Sequence, residues 1–356
     1  MNAVSAARVI TFRILTKVHT GGYASDLLRH EAAALDTRDA ALAETLVFGC
    51  LRYQSQLDFL IAHFSGRPQP KLDLEVRMAL RMGIFQLRYL DRIPAHAAVA
   101  ESVELVKSAR KRSAASFVNA VLRKVNRLPV RWPDRATELS IPAWMLARWE
   151  RHFGPAIATG IAQAALAEPE VYTNAATGRQ QDIGAQSIVP LLEIEPAMTL
   201  LDLCAAPGNK TAQAIAAGAR VTACDRYLRR LAEVPDQAAR VALDAAEPLP
   251  FSLSESALFD RILIDAPCSG TGTLARNPEI KWRLEASDLP VFQARQRKMI
   301  ERALPYLRPG GRLVYATCTL EPEENEAVVE GFRVVATHSR IPGRDSGDGF
   351  FAAVIK

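Results

Sequence analysis

The chain has 356 residues, of which 49% are hydrophobic and 23% charged, with a net charge of +5; this excludes a disordered or fibrous chain and gives enough length for more than one globular domain. No apolar run reaches the roughly 20 residues of a membrane helix, and Met1–Arg8 lacks the basic-then-apolar layout of a secretory leader, so a cytoplasmic protein with no membrane partner is expected. Five cysteines (Cys50, Cys204, Cys224, Cys268, Cys318) form no Cys-x-x-Cys pair and the six histidines no ligand spacing, so free thiols and no metal site are expected.

Charge is unevenly spread. Residues 1–150 carry 22 Lys/Arg against 14 Asp/Glu, whereas the rest carry 22 against 25. A basic module joined to a near-neutral one suits a polyanion-binding domain attached to an enzyme, although a solvated helical surface gives the same balance.

Residues 1–128 read as successive amphipathic helices. Apolar residues recur at helical spacing over Ala6–Val18, Asp39–Tyr53, Leu72–Leu90, Ala97–Lys107 and Ser113–Val125, which predicts an all-α bundle. Lys107, Arg110, Lys111 and Arg112 cluster between the last two of these. Such a cluster is either a solvated helix end or a contact for nucleic-acid phosphates, and its density favours the phosphates. Residues 129–168 read as a connector punctuated by Pro129, Pro133 and Pro142, with Trp132, Trp144 and Trp149 as anchors and a short helix at Trp144–Phe153.

From residue 169 the texture becomes alternating strand and helix. Strands are predicted at Thr199–Cys204, Arg220–Asp225, Phe259–Asp265, Arg312–Cys318 and Phe350–Ile355, with a faint one at Arg240–Leu243. Helices are predicted at Asn209–Ala217 and Val291–Leu307, the second ended by Pro309-Gly310-Gly311. This pattern is a doubly wound α/β sheet, whose functional residues gather at the carboxyl ends of its strands.

Four strand ends carry chemistry. After the first comes Cys204-Ala205-Ala206-Pro207-Gly208-Asn209-Lys210-Thr211, where small residues and a following helix N-terminus admit a ligand to the backbone. Cys204 and Asn209 stand where a phosphate-binding loop needs glycines, so a nucleoside triphosphate is not expected. Asp225 ends the next strand, where an acid binds ribose hydroxyls or else caps a helix. A nucleoside-containing cofactor without a phosphate cradle, such as S-adenosylmethionine, fits both features. Asp265 and Cys268 share one loop, Asp265-Ala-Pro-Cys-Ser-Gly-Thr-Gly272, and Cys318 lies in Ala316-Thr-Cys-Thr-Leu-Glu-Pro-Glu-Glu-Asn-Glu326. Two thiols at strand ends point to a covalent bond that is both made and broken.

Those phrases, with Leu201-Asp-Leu-Cys-Ala-Ala-Pro-Gly-Asn-Lys-Thr211, Asn277-Pro-Glu-Ile-Lys-Trp282 and Asp348-Gly-Phe-Phe351, resemble the RNA cytosine-C5 methyltransferases. Leu87-Arg-Tyr-Leu-Asp-Arg-Ile-Pro94 and Phe117-Val-Asn-Ala-Val-Leu-Arg123 resemble the helical RNA-binding fold of the antitermination factor NusB. The combination is similar to the bacterial Sun/Fmu-type (RsmB) 16S ribosomal RNA methyltransferases. The resemblance implies a NusB-like helical domain (1–128), a connector (129–168) and a Rossmann-like class I S-adenosylmethionine-dependent methyltransferase domain (169–356).

By position the resemblance implies that Cys204, Ala205, Ala206, Pro207, Gly208, Asn209 and Lys210 line the cofactor site. Asp225 would bind the ribose, Asp244 would lie near the adenine, and Asp265 between cofactor and base. Cys318 would be the nucleophile and Cys268 would assist product release. Lys107, Arg110, Lys111 and Arg112 would contact RNA, and the partner would be 16S RNA, unassembled or in an early small-subunit precursor, met by a monomer. An RNA-binding ribosome-assembly factor with weakened or lost methyl transfer is the other reading. DNA cytosine methylation is disfavoured, because that family attacks with the Pro-Cys thiol and needs no Thr-Cys partner.

Overall fold

Residues 4–67 and 71–356 are described by the structure, a computed structural model; Met1–Ala3, the start of the stretch read for a leader, lie outside the described residues. The chain divides into two compact units. One comprises Met1–Leu166 with Ala275–Trp282, and the other Ala167–Leu274 with Arg283–Lys356.

The first unit is helical. Its helices include Ala6–His19, Thr37–Arg52, Leu74–Tyr89, Ala95–Ser108 and Ala115–Lys124, close to the five amphipathic runs. Leu74–Tyr89 is buried on most of its circumference from Val76 to Gln86, as a helix surrounded by others must be. Among the helices that escape sequence reading, two lie within residues 1–128. Ala24–Glu31 is short and largely polar. Gln54–Ser65 begins one residue after Thr37–Arg52 ends, so no breaker separates the two periodic runs.

Much of the stretch read as a connector belongs to this unit. The helices Ala143–Phe153 and Pro155–Ala164 fall inside it, Trp149 is buried, and Trp132 packs on the helical core. Residues 275–282 join it through polar contacts that no periodicity signals. The Arg52 guanidinium donates to the Ala275 carbonyl, the Ala24 N–H to Glu279 (2.9 Å), and the Trp282 indole to the Leu51 carbonyl (2.8 Å). Lys281 is fully buried and donates to the carbonyls of Arg52 (2.8 Å) and Ser140 (2.9 Å). Burial, with Arg52 nearby, pulls its ammonium down to about 7.

The second unit is built on a seven-stranded sheet. Its strands are β1 (Thr199–Asp202), β2 (Arg220–Asp225), β3 (Ala239–Ala242), β4 (Phe259–Asp265), β5 (Leu307–Thr317), β6 (Val334–Arg340) and β7 (Phe350–Ile355). The order is β3-β2-β1-β4-β5-β7-β6, parallel through β5 and antiparallel at β7 and β6. Alternate residues feed two cores. Leu201, Ile262, Ile264, Leu313 and Tyr315 enter one, and Leu200, Leu263, Val314 and Ala316 the other. This two-sided burial explains the near-continuous apolar runs of β1, β4 and β5.

Two details differ from the sequence reading. The helix predicted to Leu307 ends at Ala303, followed by a 3-10 turn at Leu304–Tyr306, and β5 already starts at Leu307. Pro309-Gly310-Gly311 therefore sits within β5, where pairing with β4 shifts register between Phe259 and Arg261. Strand β6 was not anticipated, since this sheet-edge strand is half-exposed and carries few apolar residues.

Strand order reverses at β1, with β2 on one side and β4 on the other. In such sheets the ligand crevice lies beyond the carboxyl ends of the strands at this point.

Candidate active site

The loop after β1 turns tightly. Gly208 has φ +95°, and a Cβ there would lie 2.8 Å from Val234 Cα and Pro235 Cδ, so only glycine fits. The helix Asn209–Ala216 starts from this turn. The Asn209 side chain folds back onto the Gln180 carbonyl (3.3 Å). Beneath the loop, buried Asp202 accepts from the Thr211 hydroxyl (2.7 Å) through Oδ2, while its Oδ1 has no partner. Burial raises its carboxyl to about 7, against the Thr211 bond.

A cleft of about 370 Å³ opens beside this loop. Of the residues singled out for cofactor binding, Cys204, Ala206, Asp225, Asp244 and Asp265 line it. Ala205, Pro207, Gly208, Asn209 and Lys210 shape the loop and helix start without joining that lining. Leu203, Leu243, Pro267 and Met299 add apolar wall. Asp225 accepts from the Tyr227 N–H (2.9 Å), so it organises its own turn while facing the cleft. Asp244 accepts from the Ala246 N–H (3.0 Å) and from Arg295 at 2.7 and 2.8 Å. Burial opposes its charge, but the Arg295 and backbone hydrogen bonds win and hold its carboxyl below the usual range. Burial of Cys204, with several carboxylates nearby, raises its thiol.

Lys210 reaches Asp265 at the end of β4, with Nζ 2.6 Å from Oδ2 and 5.4 Å from the Phe350 ring centroid. Desolvation works against its charge, yet the Asp265 carboxylate prevails and raises its pKa. The pair ties the first loop to the second.

The two thiols meet. Cys268 Sγ and Cys318 Sγ are 3.3 Å apart, either one able to donate, although 50 residues separate them in sequence. Their loops leave the adjacent strands β4 and β5. Gly272 N–H donates to the Cys318 carbonyl (3.0 Å), and Gly349 N–H to the Gly272 carbonyl (2.8 Å). A Cβ on Gly272 would lie 2.5 Å from the Gly349 oxygen and 2.8 Å from the Cys318 oxygen, so the loops close on each other only because residue 272 is glycine. The hydrogen bond to Cys318, then burial, pushes the Cys268 thiol well above its ordinary value.

The polar residues that flank the thiols in sequence are joined in a way that the sequence does not show. Glu324, Gln296, Ser269 and Thr319 form one buried network between the two loops. Of the four glutamates in Glu321–Glu326, Glu321 and Glu324 are buried, and no periodicity says that Glu324 is the one joined to both thiol loops. Arg295 escaped for a similar reason, as one of several cations on the helix Leu289–Ala303.

The basic cluster lies in the helical unit. Lys107 pairs with Glu104 (2.7 Å) and Lys111 with Asp73 (3.0 Å), while Arg110, with φ +62°, and Arg112 are exposed. Among the described residues there is no group of three or more His, Cys, Asp or Glu able to hold a metal, and no helix long and apolar enough to cross a membrane.

Residues 189–341 match the family described as 16S rRNA methyltransferase RsmB/F, and residues 5–127 match the NusB family. The ribosomal RNA small subunit methyltransferase B of Erwinia tasmaniensis is 30% identical over 99% of each chain, and that of Pectobacterium atrosepticum is 32% identical over 97% of each. The crystal structure of PH0851 superposes with a TM-score of 0.78 over 100% of this chain and 99% of its own, at 18% identity, a likeness of fold. A sheet with paired thiols at its carboxyl edge, a helical unit matching NusB and near-full-length likeness to these relatives place the chain in the 16S rRNA methyltransferase RsmB/F family.

Proposed function

We propose that the protein methylates C5 of a cytosine in 16S ribosomal RNA with S-adenosylmethionine as donor, attacking with Cys318 and releasing the product with help from Cys268. The observation that carries the proposal is the 3.3 Å approach of the two sulfurs beside a cleft lined by Asp225, Asp244 and Asp265.

The cleft suits the cofactor. Its volume of about 370 Å³ falls in the range of roughly 300–1,000 Å³ typical of small-molecule sites. Asp225 offers acceptors for ribose hydroxyls, and Asp244 sits by apolar wall suited to a purine. The turn at Gly208 lets backbone pack where a side chain would intrude. S-adenosylmethionine, when bound, supplies an electrophilic methyl group.

C5 of cytosine is a poor nucleophile. Cys318 releases its proton to water and adds as a thiolate at C6, which breaks the C5=C6 π bond and moves its electron pair to C5, which can then take a methyl group. The charge that develops at N3 would be met by a proton shared between N3 and the Asp265 carboxyl, which Lys210 holds in place, since a bare carboxylate there would repel it. After methylation the C5 proton leaves to water, the C5=C6 bond re-forms and the Cys318 sulfur is expelled. Cys268 keeps its proton and donates a hydrogen bond to that departing sulfur, which lowers the cost of the charge it carries away. Arg110 and Arg112 bind RNA phosphates, with Lys107 and Lys111 contributing less because each already has an acidic partner.

The test is methyl transfer from labelled S-adenosylmethionine to unmodified 16S RNA, with the product mapped by bisulfite sequencing. Label in one protected cytosine is expected. S-adenosylmethionine binding without methyl transfer to any cytosine would overturn the proposal and favour an RNA-binding assembly factor.

A further inference from the structure

We propose that Glu324 is the positioning residue of the thiol pair: its buried carboxylate holds the Cys268 and Cys318 loops in the register that brings their sulfurs together. The inference rests on the functional reading above and assigns a task to a residue that touches neither sulfur.

Glu324 is completely buried. Its carboxylate accepts hydrogen bonds from three segments. Ser269 gives both its backbone N–H (2.9 Å) and its hydroxyl, Thr319 gives its hydroxyl (3.1 Å), and Gln296 gives its amide (2.9 Å). Ser269 follows Cys268 and Thr319 follows Cys318. Gln296 also donates to the carbonyl of Pro267 (3.0 Å), the residue before Cys268. Cys268 is thus gripped on both sides, through Pro267 by Gln296 and through Ser269 by Glu324. On the other strand, the Thr317 hydroxyl bonds Asn325 (2.6 Å), and the Asn325 amide returns to the Thr319 carbonyl (3.1 Å). The Tyr315 hydroxyl fixes the Glu324 carbonyl (2.6 Å).

A buried carboxylate is costly unless its lone pairs are filled. Here burial raises the carboxyl, and the donors from Ser269, Gln296 and Thr319 offset part of that rise. A side chain needed only for packing would be apolar. This one takes donors from both thiol loops, so its effect is to fix one loop against the other. A hydrogen bond between sulfurs weakens with small displacements, and the attack and release steps share one base, so a slip of either loop slows both.

The geometry also separates positioning from charge. In Glu324→Gln, the amide oxygen can take the Ser269 and Gln296 N–H groups, while its NH2 donates to the Ser269 and Thr319 hydroxyls, which can accept. That variant keeps every connection without the charge. Glu324→Asp keeps the charge but is one methylene short, so it cannot reach all three segments.

Methyl transfer, S-adenosylmethionine affinity and cross-linking of Cys268 to Cys318 by dibromobimane, located by peptide mapping, would be measured for wild type and both variants. Glu324→Gln is expected within about threefold of wild type in kcat and in cross-link yield. Glu324→Asp is expected to lose at least tenfold in kcat and most of its cross-link yield, with S-adenosylmethionine affinity unchanged. An active Asp variant with an inactive Gln variant would overturn the proposal in favour of a charge or proton role. Loss of cofactor affinity in parallel with kcat would overturn it in favour of general folding. The cross-link needs no RNA or cofactor, so a wild type that cross-links without transferring methyl groups would defeat the functional reading and leave the positioning of the thiols measurable.

Discussion

Asp202→Asn should flatten the pH dependence of stability. Asp202 is fully buried and one of its oxygens has no partner. Burial raises its carboxyl from 3.8 to about 7 in the folded protein, with the Thr211 hydrogen bond opposing. Between those two values the folded state holds a proton that the unfolded chain has released. The contribution of this group to stability is therefore fully present below 3.8, declines as pH rises, and is gone above about 7. The slope is about 1.36 kcal/mol per pH unit and fades near pH 7, so the loss from pH 5 to pH 8 amounts to about 2.6 kcal/mol. An asparagine keeps the Thr211 hydroxyl bond through its amide oxygen and does not titrate. Urea unfolding of both proteins at pH 5, 6, 7 and 8, followed by circular dichroism, measures the difference. The stability of the variant relative to wild type should grow by up to about 2.6 kcal/mol from pH 5 to pH 8, most of it below pH 7. Parallel profiles would refute the reasoning and mean that Asp202 folds as a carboxylate.

Gly272→Ala should cost about 1–3 kcal/mol, the usual penalty of overpacking, because its Cβ would meet the Gly349 and Cys318 carbonyls. The same variant should reduce cross-linking of the two thiols, and an unchanged melting temperature would show that the loops can part without cost. Calorimetry should find S-adenosylmethionine bound at least tenfold more weakly by Asp225→Ala, and unchanged binding would remove Asp225 from the cofactor site. Replacing Arg110 and Arg112 with glutamine should lower the salt slope of RNA binding by about 1.4–1.8, from roughly 0.7–0.9 per phosphate contact. The paired Lys107 and Lys111 should give a smaller change, and equal effects from the two double variants would mean that their ion pairs do not matter.

The parts legible in the sequence were those with local causes. Helical spacing marked Leu74–Tyr89, and two-sided burial made β1, β4 and β5 continuous apolar runs. The positions of Asp265, Cys268 and Cys318 at or just beyond strand ends followed from β4 and β5, and that of Asp225 from β2. What lay beyond reach depended on the third dimension. That Glu321 and Glu324 are buried while Glu323 and Glu326 are not, and that Arg295 selects Asp244, are properties of packing with no periodic trace. Residues 275–282 sit in sequence between sheet elements yet belong to the helical unit through individual hydrogen bonds to Leu51, Arg52 and Ser140. Strand β6 is held by pairing with β7 rather than by its own apolar pattern.

The division of labour between the two thiols is tested most directly by incubating Cys268→Ala, Cys318→Ala and the double variant with unmodified 16S RNA and S-adenosylmethionine, then resolving the products on a denaturing gel. Cys268→Ala should accumulate an RNA-bound protein that survives denaturation. Cys318→Ala and the double variant should form none. An adduct that persists without Cys318, or a Cys268→Ala protein that turns over freely with no adduct, would contradict the account.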